Sequence, residues 1–294
     1  MSKTFARWLV SVTCAIALLA ACKHEEPAGS KSASEVAQPS ALQPTAAEPG
    51  KPPAAADKLV VFAASSLKEA FTKIGDALKQ QHKGLELTFN FAGTQELRMQ
   101  IEQGAPADVF APADRAAMDA LVKSGKVHPG LTFARNELVL ALAKDQLGTV
   151  QQFSDLPKVK RIVLGAPEVP VGQYTEQLLD NASKQLGAKF RTDVEAHVVS
   201  REPNVKQVLA KLALGEADAA IVYRSDVTSL RDKVVAVPVP AAWSVIAEYP
   251  VCDVVGAANP QQAQAFIALL QSPVGRNALL EAGFLPPATS APAP

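Results

Sequence analysis

Four short segments of the chain combine small and hydroxyl-bearing residues at points where an apolar stretch gives way to a helical pattern. They read FAASSL at 62–67, FAGTQ at 91–95, GAPEVPVG at 165–172 and EPNV at 202–205. A helix N-terminus presents unpaired N–H groups and a partial positive charge, so several such starts that converge on one point can bind an anion. No Lys or Arg lies among the small residues of these turns, so dipoles and hydroxyls would have to meet the charge.

Each of these segments also has an ordinary structural interpretation as a helix start. Ser66 and Glu69 have the S-x-x-E spacing of a capping box. Thr94 can cap a helix or donate to a ligand, Pro170 suits a first helical turn, and Asn204 is a typical N-cap. The residues alone therefore predict turns able to bind an anion, without naming one.

The elements that position these turns follow from the hydrophobic pattern, in which short apolar strands alternate with amphipathic helices. Strands are predicted at 59–63, 85–91, 108–111, 137–143, 161–166, 196–199, 219–223 and 251–256. Helices are predicted at 67–81, 96–103, 116–124, 174–186, 205–214 and 263–270. This alternation predicts an α/β fold with a parallel sheet, whose carboxyl edge is where ligands bind.

Other chemistries find little support in the residues. The folded part contains no GxGxxG, Walker A or GxSxG motif, and the four histidines lack metal-ligand spacing. An envelope hydrolase that uses Ser65 or Ser66 is an alternative, but no base can be paired with either. We expect no enzyme activity, no cofactor and no protein metal centre. Cys252 lies in an apolar run and is expected to be a small buried hydrophobe.

The N-terminus has the pattern of an exported lipoprotein. Lys3 and Arg7 precede an apolar segment at 8–21, which is typical of a secretory signal and too short to span a ~30 Å hydrocarbon core comfortably. The residues Leu-Ala-Ala before Cys22 resemble the lipobox of bacterial lipoproteins, which implies cleavage after residue 21 and acylation of Cys22. Residues 22–57 then form a flexible tether and 287–294 a disordered tail.

The overall charge of the chain excludes binding of polyanions through a large basic surface. The chain has 29 basic and 29 acidic residues, and cleavage would remove only Lys3 and Arg7. A nearly neutral chain offers no basic field for nucleic acid, so any anion must be held locally.

Five segments resemble the periplasmic molybdate-binding proteins, in that family's order and spacing. They are VVFAASSL at 60–67, QIEQGAPADVF at 100–110, the stretch 165–174, IVYRSD at 221–226 and EYPV at 248–251. The resemblance runs from about residue 58 to residue 286, which is essentially the whole folded part.

The resemblance implies a set of ligand-binding residues. By position, Ser66 and Thr94 would contribute side-chain and backbone donors, Val171 and Val205 backbone N–H groups, and Tyr223 its phenol hydroxyl. The chain departs from the family pattern at Thr94, where Ser is usual, and at Val171, where Ala is usual. Molybdenum would be bound only as its oxyanion, through these residues.

The resemblance also implies a fold and a function. The expected fold is a two-lobe class II periplasmic-binding-protein fold with two crossover hinges, with lobe 1 at 58–136 plus 249–286 and lobe 2 at 137–248. The expected function is that of a monomeric, lipid-anchored protein at the periplasmic face of a membrane, which captures molybdate or tungstate for an ABC transporter permease. A binder of another oxyanion such as sulfate is the alternative on the same fold.

Overall fold

The computed structural model describes residues 58–288. Its strands are β1 (Lys58–Ala64), β2 (Glu86–Ala92), β3 (Val109–Ala111), β4 (Leu131–Ala143), β5 (Ile162–Gly165), β6 (Val198–Glu202), β7 (Ala219–Tyr223), β8 (Val234–Pro238) and β9 (Ile246–Asp253). Its α-helices are α1 (Lys68–Gln81), α2 (Thr94–Glu102), α3 (Arg115–Lys123), α4 (Pro170–Leu186), α5 (Ala188–Glu195), α6 (Val205–Ala213), α7 (Arg224–Thr228), α8 (Pro260–Gln271) and α9 (Pro273–Glu281). Short 3₁₀ helices lie at Ser65–Leu67, Lys144–Gly148 and Phe153–Lys158.

The predicted signal peptide, the lipidation of Cys22 and the tether lie outside the described residues, as do residues 289–294 of the predicted tail. Among the helices of residues 58–288, none combines the length and the apolar character that a membrane crossing needs.

The strands join in the order β2-β1-β3-β9-β4-β7-β5-β6, with β8 also paired to β4. In what we call the first half, β2, β1 and β3 run parallel and contact α1, α2 and α8. In the second half, β6, β5 and β7 run parallel and contact α4 and α6. Each half therefore has its own group of parallel strands with helices packed against it, and both groups belong to one continuous sheet.

Two long strands cross between the halves. Strand β4 pairs antiparallel with β9 through Leu131–Glu137 and then with β7 and β8 from Leu138 onward. Strand β9 pairs with β4 and, at Cys252 and Asp253, with β3. These two crossings correspond to the pair of crossovers expected for a two-lobe binding protein. The lobe limits themselves stay a prediction.

The sheet is mixed rather than parallel throughout, because β4, β8 and β9 are antiparallel to their neighbours. Strand β4 begins at Leu131 rather than at residue 137. The prediction missed the first part of this strand because Arg135 and Asn136 interrupt its apolar pattern. Strand β9 covers Ile246–Asp253 instead of 251–256. The helices α5, α7 and α9 and the strand β8 were not predicted.

Two of the predicted helix starts follow local sequence rules, and a third does not. The Asn204 side chain accepts a hydrogen bond from the Gln207 N–H at 3.1 Å and Pro170 opens α4, so both predictions are confirmed. The predicted capping box at Ser66 and Glu69 is wrong. Ser66 lies inside the 3₁₀ turn that precedes α1, and its hydroxyl bonds elsewhere.

The core of the first half contains aromatic contacts made by Phe71 of α1. Phe71 lies with its ring centroid 5.7 Å from that of Phe133 and 5.2 Å from that of Phe266. Burying a side chain of this size contributes ~1.5–3 kcal/mol. Cys252 is buried as predicted, and burial raises the pKa of its thiol to about 12, so it stays protonated at neutral pH.

Candidate anion-binding site

The four junctions predicted from the sequence meet at one small cavity between the two halves. Its lining includes the five predicted residues Ser66, Thr94, Val171, Val205 and Tyr223, together with Ala64, Ser65, Gly93, Ala113, Val169, Pro170 and Asn204. These residues end β1 or β7, or follow the carboxyl ends of β1, β2, β3, β5 and β6. The convergence expected at the carboxyl edge of the sheet is therefore present.

The cavity has room for one compact ion. The space open to the centre of a water molecule is about 20 Å³. A sphere of that volume has a radius of roughly 1.7 Å, so with a water radius of ~1.4 Å the cavity accepts a group of roughly 3 Å radius. Pockets for drug-sized molecules measure ~300–1,000 Å³. The cavity is much smaller than these pockets.

Ser66 is held by a buried hydrogen bond that the sequence analysis did not anticipate. Its Oγ lies 2.9 Å from the hydroxyl of Tyr249, a fully buried residue on β9. Burial raises the pKa of the Tyr249 phenol well above 10, although the Ser66 and Asn136 side chains oppose the rise. The phenol is therefore neutral and can donate to Ser66, which leaves the Ser66 proton free for a ligand. A buried tyrosine usually needs such a partner, and this is the signal that could have pointed to Tyr249.

Thr94 is the first residue of α2 and is oriented by the loop after β3. The backbone N–H of Ala113 donates to Thr94 Oγ1 at 3.0 Å. Because the oxygen already accepts this bond, the hydroxyl proton is available to a ligand in the cavity. Thr94 thus offers both its side chain and the unpaired N–H of a first helical turn.

The second half contributes backbone donors. Val171 and Val205 lie in the first turns of α4 and α6, where N–H groups have no acceptor within the helix. Gly172 lets the start of α4 approach the end of β5, since a Cβ there would meet the Ala166 oxygen at 1.9 Å. The valine side chains are buried.

Tyr223 supplies a hydroxyl that the described protein leaves unpaired. The residue is 1% exposed, and its hydroxyl makes no hydrogen bond to any atom of residues 58–288. Burial, and next the neighbouring Tyr249, raise the pKa of the phenol well above 10. A neutral donor at a cavity wall can pair only with what occupies the cavity.

Charged side chains are kept away from this site. Among the described residues, those lining the cavity include no Lys, Arg, His, Asp or Glu. Lys206 directly follows Val205, but its ammonium pairs with Glu69 at 2.7 Å and with Asp226 at 3.0 Å. Arg224, next to Tyr223, pairs with Glu137 at 2.8 Å. Both nearby cations are therefore already neutralised.

The lining residues offer hydrogen-bond donors, and none of the described lining residues is a histidine or a carboxylate that could act as a base. Ser66 bonds to a tyrosine that stays protonated, and no histidine of the described chain lines the cavity. Neither Ser65 nor Ser66 is paired with a base. In residues 58–288 no cluster of three or more His, Cys, Asp or Glu side chains is placed to hold a metal ion.

Two α/β halves joined by two crossing strands, with a cavity between them, define the class of two-lobe periplasmic binding proteins. Residues 59–285 match the family model described as bacterial extracellular solute-binding protein. The chain belongs to this family, and it is a solute-binding protein rather than an enzyme.

Relatives and solved structures agree with this assignment. The molybdate-binding protein ModA of Mycobacterium bovis is 37% identical over 245 residues, which cover 82% of this chain and 90% of that protein. ModA of Escherichia coli is 31% identical over 77% of this chain and 88% of that protein. The periplasmic molybdate-binding protein of Azotobacter vinelandii has the same fold, with a TM-score of 0.69 and 22% identity over 78% of this chain and 99% of that chain.

The two buried tyrosines should respond differently to loss of the hydroxyl. Tyr249→Phe leaves Ser66 without its partner and should lower the free energy of unfolding by about 1 kcal/mol. Tyr223→Phe removes a hydroxyl without a protein partner, so the free energy of unfolding should stay within ~0.5 kcal/mol or rise. Urea unfolding of the ligand-free proteins, followed by tryptophan fluorescence, measures both. Equal losses in the two variants would contradict this account of Tyr223.

Proposed function

We propose that the protein captures molybdate or tungstate in the cavity between its halves and delivers it to an ABC importer. The observation that carries this proposal is a small cavity lined by neutral donors, with the unpaired Tyr223 hydroxyl at its wall. A dianion without protons is a pure acceptor and can pair with every one of these donors. The names of the two ModA relatives support the choice of molybdate.

The charge of the anion would be met by dipoles rather than by cations. Helices α2, α4 and α6 have 9, 17 and 9 residues and begin at the cavity. Each helix start is equivalent to roughly half a positive charge. Ser66, Thr94 and Tyr223 add hydroxyl donors, so no covalent step and no counter-ion are needed. The bound anion would hold the halves together, and the closed form would dock on the permease.

Selectivity tests the identity of the ligand. A cage of fixed donors fits one ionic radius, and a smaller anion leaves donors unpaired at ~1–3 kcal/mol each. Molybdate and tungstate should therefore bind at least about tenfold more tightly than sulfate or phosphate, since ~1.4 kcal/mol is tenfold. Isothermal titration calorimetry with the four anions measures this. Sulfate that binds as tightly as molybdate would reject the proposed ligand and leave the fold unaffected.

The neutral-donor mechanism predicts which variants lose affinity. Ser66→Ala and Tyr223→Phe should each weaken molybdate binding roughly 10- to 150-fold, because a hydrogen bond to a charged group contributes ~1.5–3 kcal/mol. Arg224→Ala is the matched control, since Arg224 is the cation nearest to Tyr223 in sequence and is paired with Glu137. It should change affinity less than either hydroxyl variant. If calorimetry shows Arg224→Ala abolishing binding while the other two bind normally, the mechanism is wrong.

We further propose that the protein is attached to a membrane through acylated Cys22, with the tether leading to the folded part. The support is the lipobox-like sequence after the apolar segment. Cys22→Ser should leave the protein unprocessed or soluble, as cell fractionation and detection of the lipid label would show. A processed Cys22→Ser variant that stays on the membrane as fully as the original protein would exclude the anchor.

A further inference from the structure

Among the described residues, Glu69 and Lys206 form an ion pair that joins the two halves beside the cavity. Glu69 lies in the first turn of α1 in the first half, and Lys206 is the second residue of α6 in the second half. The Lys206 Nζ lies 2.7 Å from Glu69 Oε2. The lysine side chain is 23% exposed and that of the glutamate 42%, so the contact is only partly screened by solvent.

Lys206 is also fixed within its own half. Its Nζ lies 3.0 Å from Oδ1 of Asp226, a residue of α7 that is 0% exposed. Burial raises the pKa of Asp226 to about 6, although Lys206 opposes the rise. Burial alone would lower the pKa of Lys206, but Asp226 and Glu69 outweigh it and raise that pKa. Lys206 therefore stays with Asp226, and Glu69 is the partner that separation of the halves would remove.

The pair connects the two walls of the cavity. Glu69 follows Ser66 by three residues, and Lys206 directly follows Val205. A second contact also joins the two halves, because Gln95 Nε2 donates to the Pro203 oxygen at 3.0 Å. Gln95 directly follows Thr94, and Pro203 directly precedes Asn204. Gly93 permits this approach, because a Cβ there would meet the same Pro203 oxygen at 2.6 Å. Both crossing contacts are one to three residues from groups that line the cavity.

We propose that Glu69 and Lys206 are positioning residues of the anion site, which set affinity by holding the two halves together around an anion that they do not touch. This inference rests on the proposed function of the cavity. Neither side chain lines the cavity, so the effect has to pass through the position of α1 and α6. Affinity differences of this kind appear mainly in the dissociation rate.

If only long-range electrostatics mattered, removal of the Glu69 charge would change anion affinity in the opposite direction. Glu69 carries a negative charge near a site for a dianion, so its removal would tighten binding if only the long-range field mattered. Loss of a contact that holds the halves together weakens binding instead. Glu69→Gln therefore separates the two explanations by the direction of the change.

The matched control is Glu96→Gln. Glu96 also lies in the first turn of a helix of the first half, two residues after Thr94, and is exposed. It contacts Gln100 of its own helix and makes no ion pair across the cavity. Lys206→Met is unsuitable, because it would leave Asp226 buried without its partner.

The experiment uses molybdate and sulfate as probes, with calorimetry for affinity and stopped-flow fluorescence for rates. Glu69→Gln and Glu69→Ala should raise the dissociation constant for molybdate about three- to tenfold, through faster dissociation. The ratio of molybdate to sulfate affinity should stay the same, since the donors are intact. Glu96→Gln should bind as tightly as the original protein or more tightly. Unchanged or tighter binding in both Glu69 variants overturns the proposal.

Failure of the proposed function gives a different result. If the original protein binds none of molybdate, tungstate, sulfate and phosphate, the function is wrong. The cross-half contact is then judged by small-angle scattering of the protein alone. A larger radius of gyration for Glu69→Ala than for Glu96→Gln supports the contact, and equal values overturn it.

Discussion

The N–H groups of a first helical turn have no acceptor inside their helix, and the construction of the cavity depends on this constraint. Helices α2, α4 and α6 each begin within about four residues of the end of a strand, so their free donors reach the carboxyl edge of the sheet. Three helix starts at one point produce a positive potential without a charged side chain. A buried lysine in the same place would have to be desolvated and would bring a pKa that depends on its surroundings. The neutral arrangement avoids both effects.

The crossing strands do more than connect the halves. Tyr249 on β9 supports Ser66 in the first half at 2.9 Å, and Asn136 on β4 donates to the Ser225 hydroxyl in the second half at 2.8 Å. The segment that joins the halves is therefore hydrogen-bonded to residues beside the cavity on both sides. Tyr249 and Asn136 are both buried, so a change at the crossing cannot be absorbed by solvent. A shift of β9 would therefore move the Tyr249 hydroxyl that supports Ser66.

Local features were predictable from the sequence, and long-range pairings were not. The strand at 219–223 and the starts of α4 and α6 follow from apolar runs, Pro170 and Asn204, which act within one turn of the chain. The beginning of β4 was missed because Arg135 interrupts its apolar pattern. The structure satisfies Arg135 through the distant Pro286 oxygen, at 2.8 Å from its Nε. Antiparallel pairing of β4 with β9 joins segments more than a hundred residues apart, and no local pattern carries that information.

The candidate site likewise has a part that could be predicted from the sequence and a part that could not. The five lining residues were named from resemblance, and the structure brings all five to one cavity. Their supporting partners, Tyr249 for Ser66 and Ala113 for Thr94, come from other parts of the chain and were not found. The same holds for Lys206. Sequence places a cation next to Val205, and only the fold shows that two carboxylates neutralise it.

Neutralised charges around a neutral cavity have a consequence for recognition. With Lys206 and Arg224 committed to carboxylates, no single strong attraction can hold an anion that fits poorly. Binding then depends on many moderate hydrogen bonds that are made together, and this requires the halves to be in place at the same time. Such a cavity distinguishes anions by size and by the number of acceptors, since total charge is the same for sulfate and molybdate. On the proposal made for Glu69 and Lys206, the contacts that bring the halves together influence affinity in addition to the donors that face the ligand.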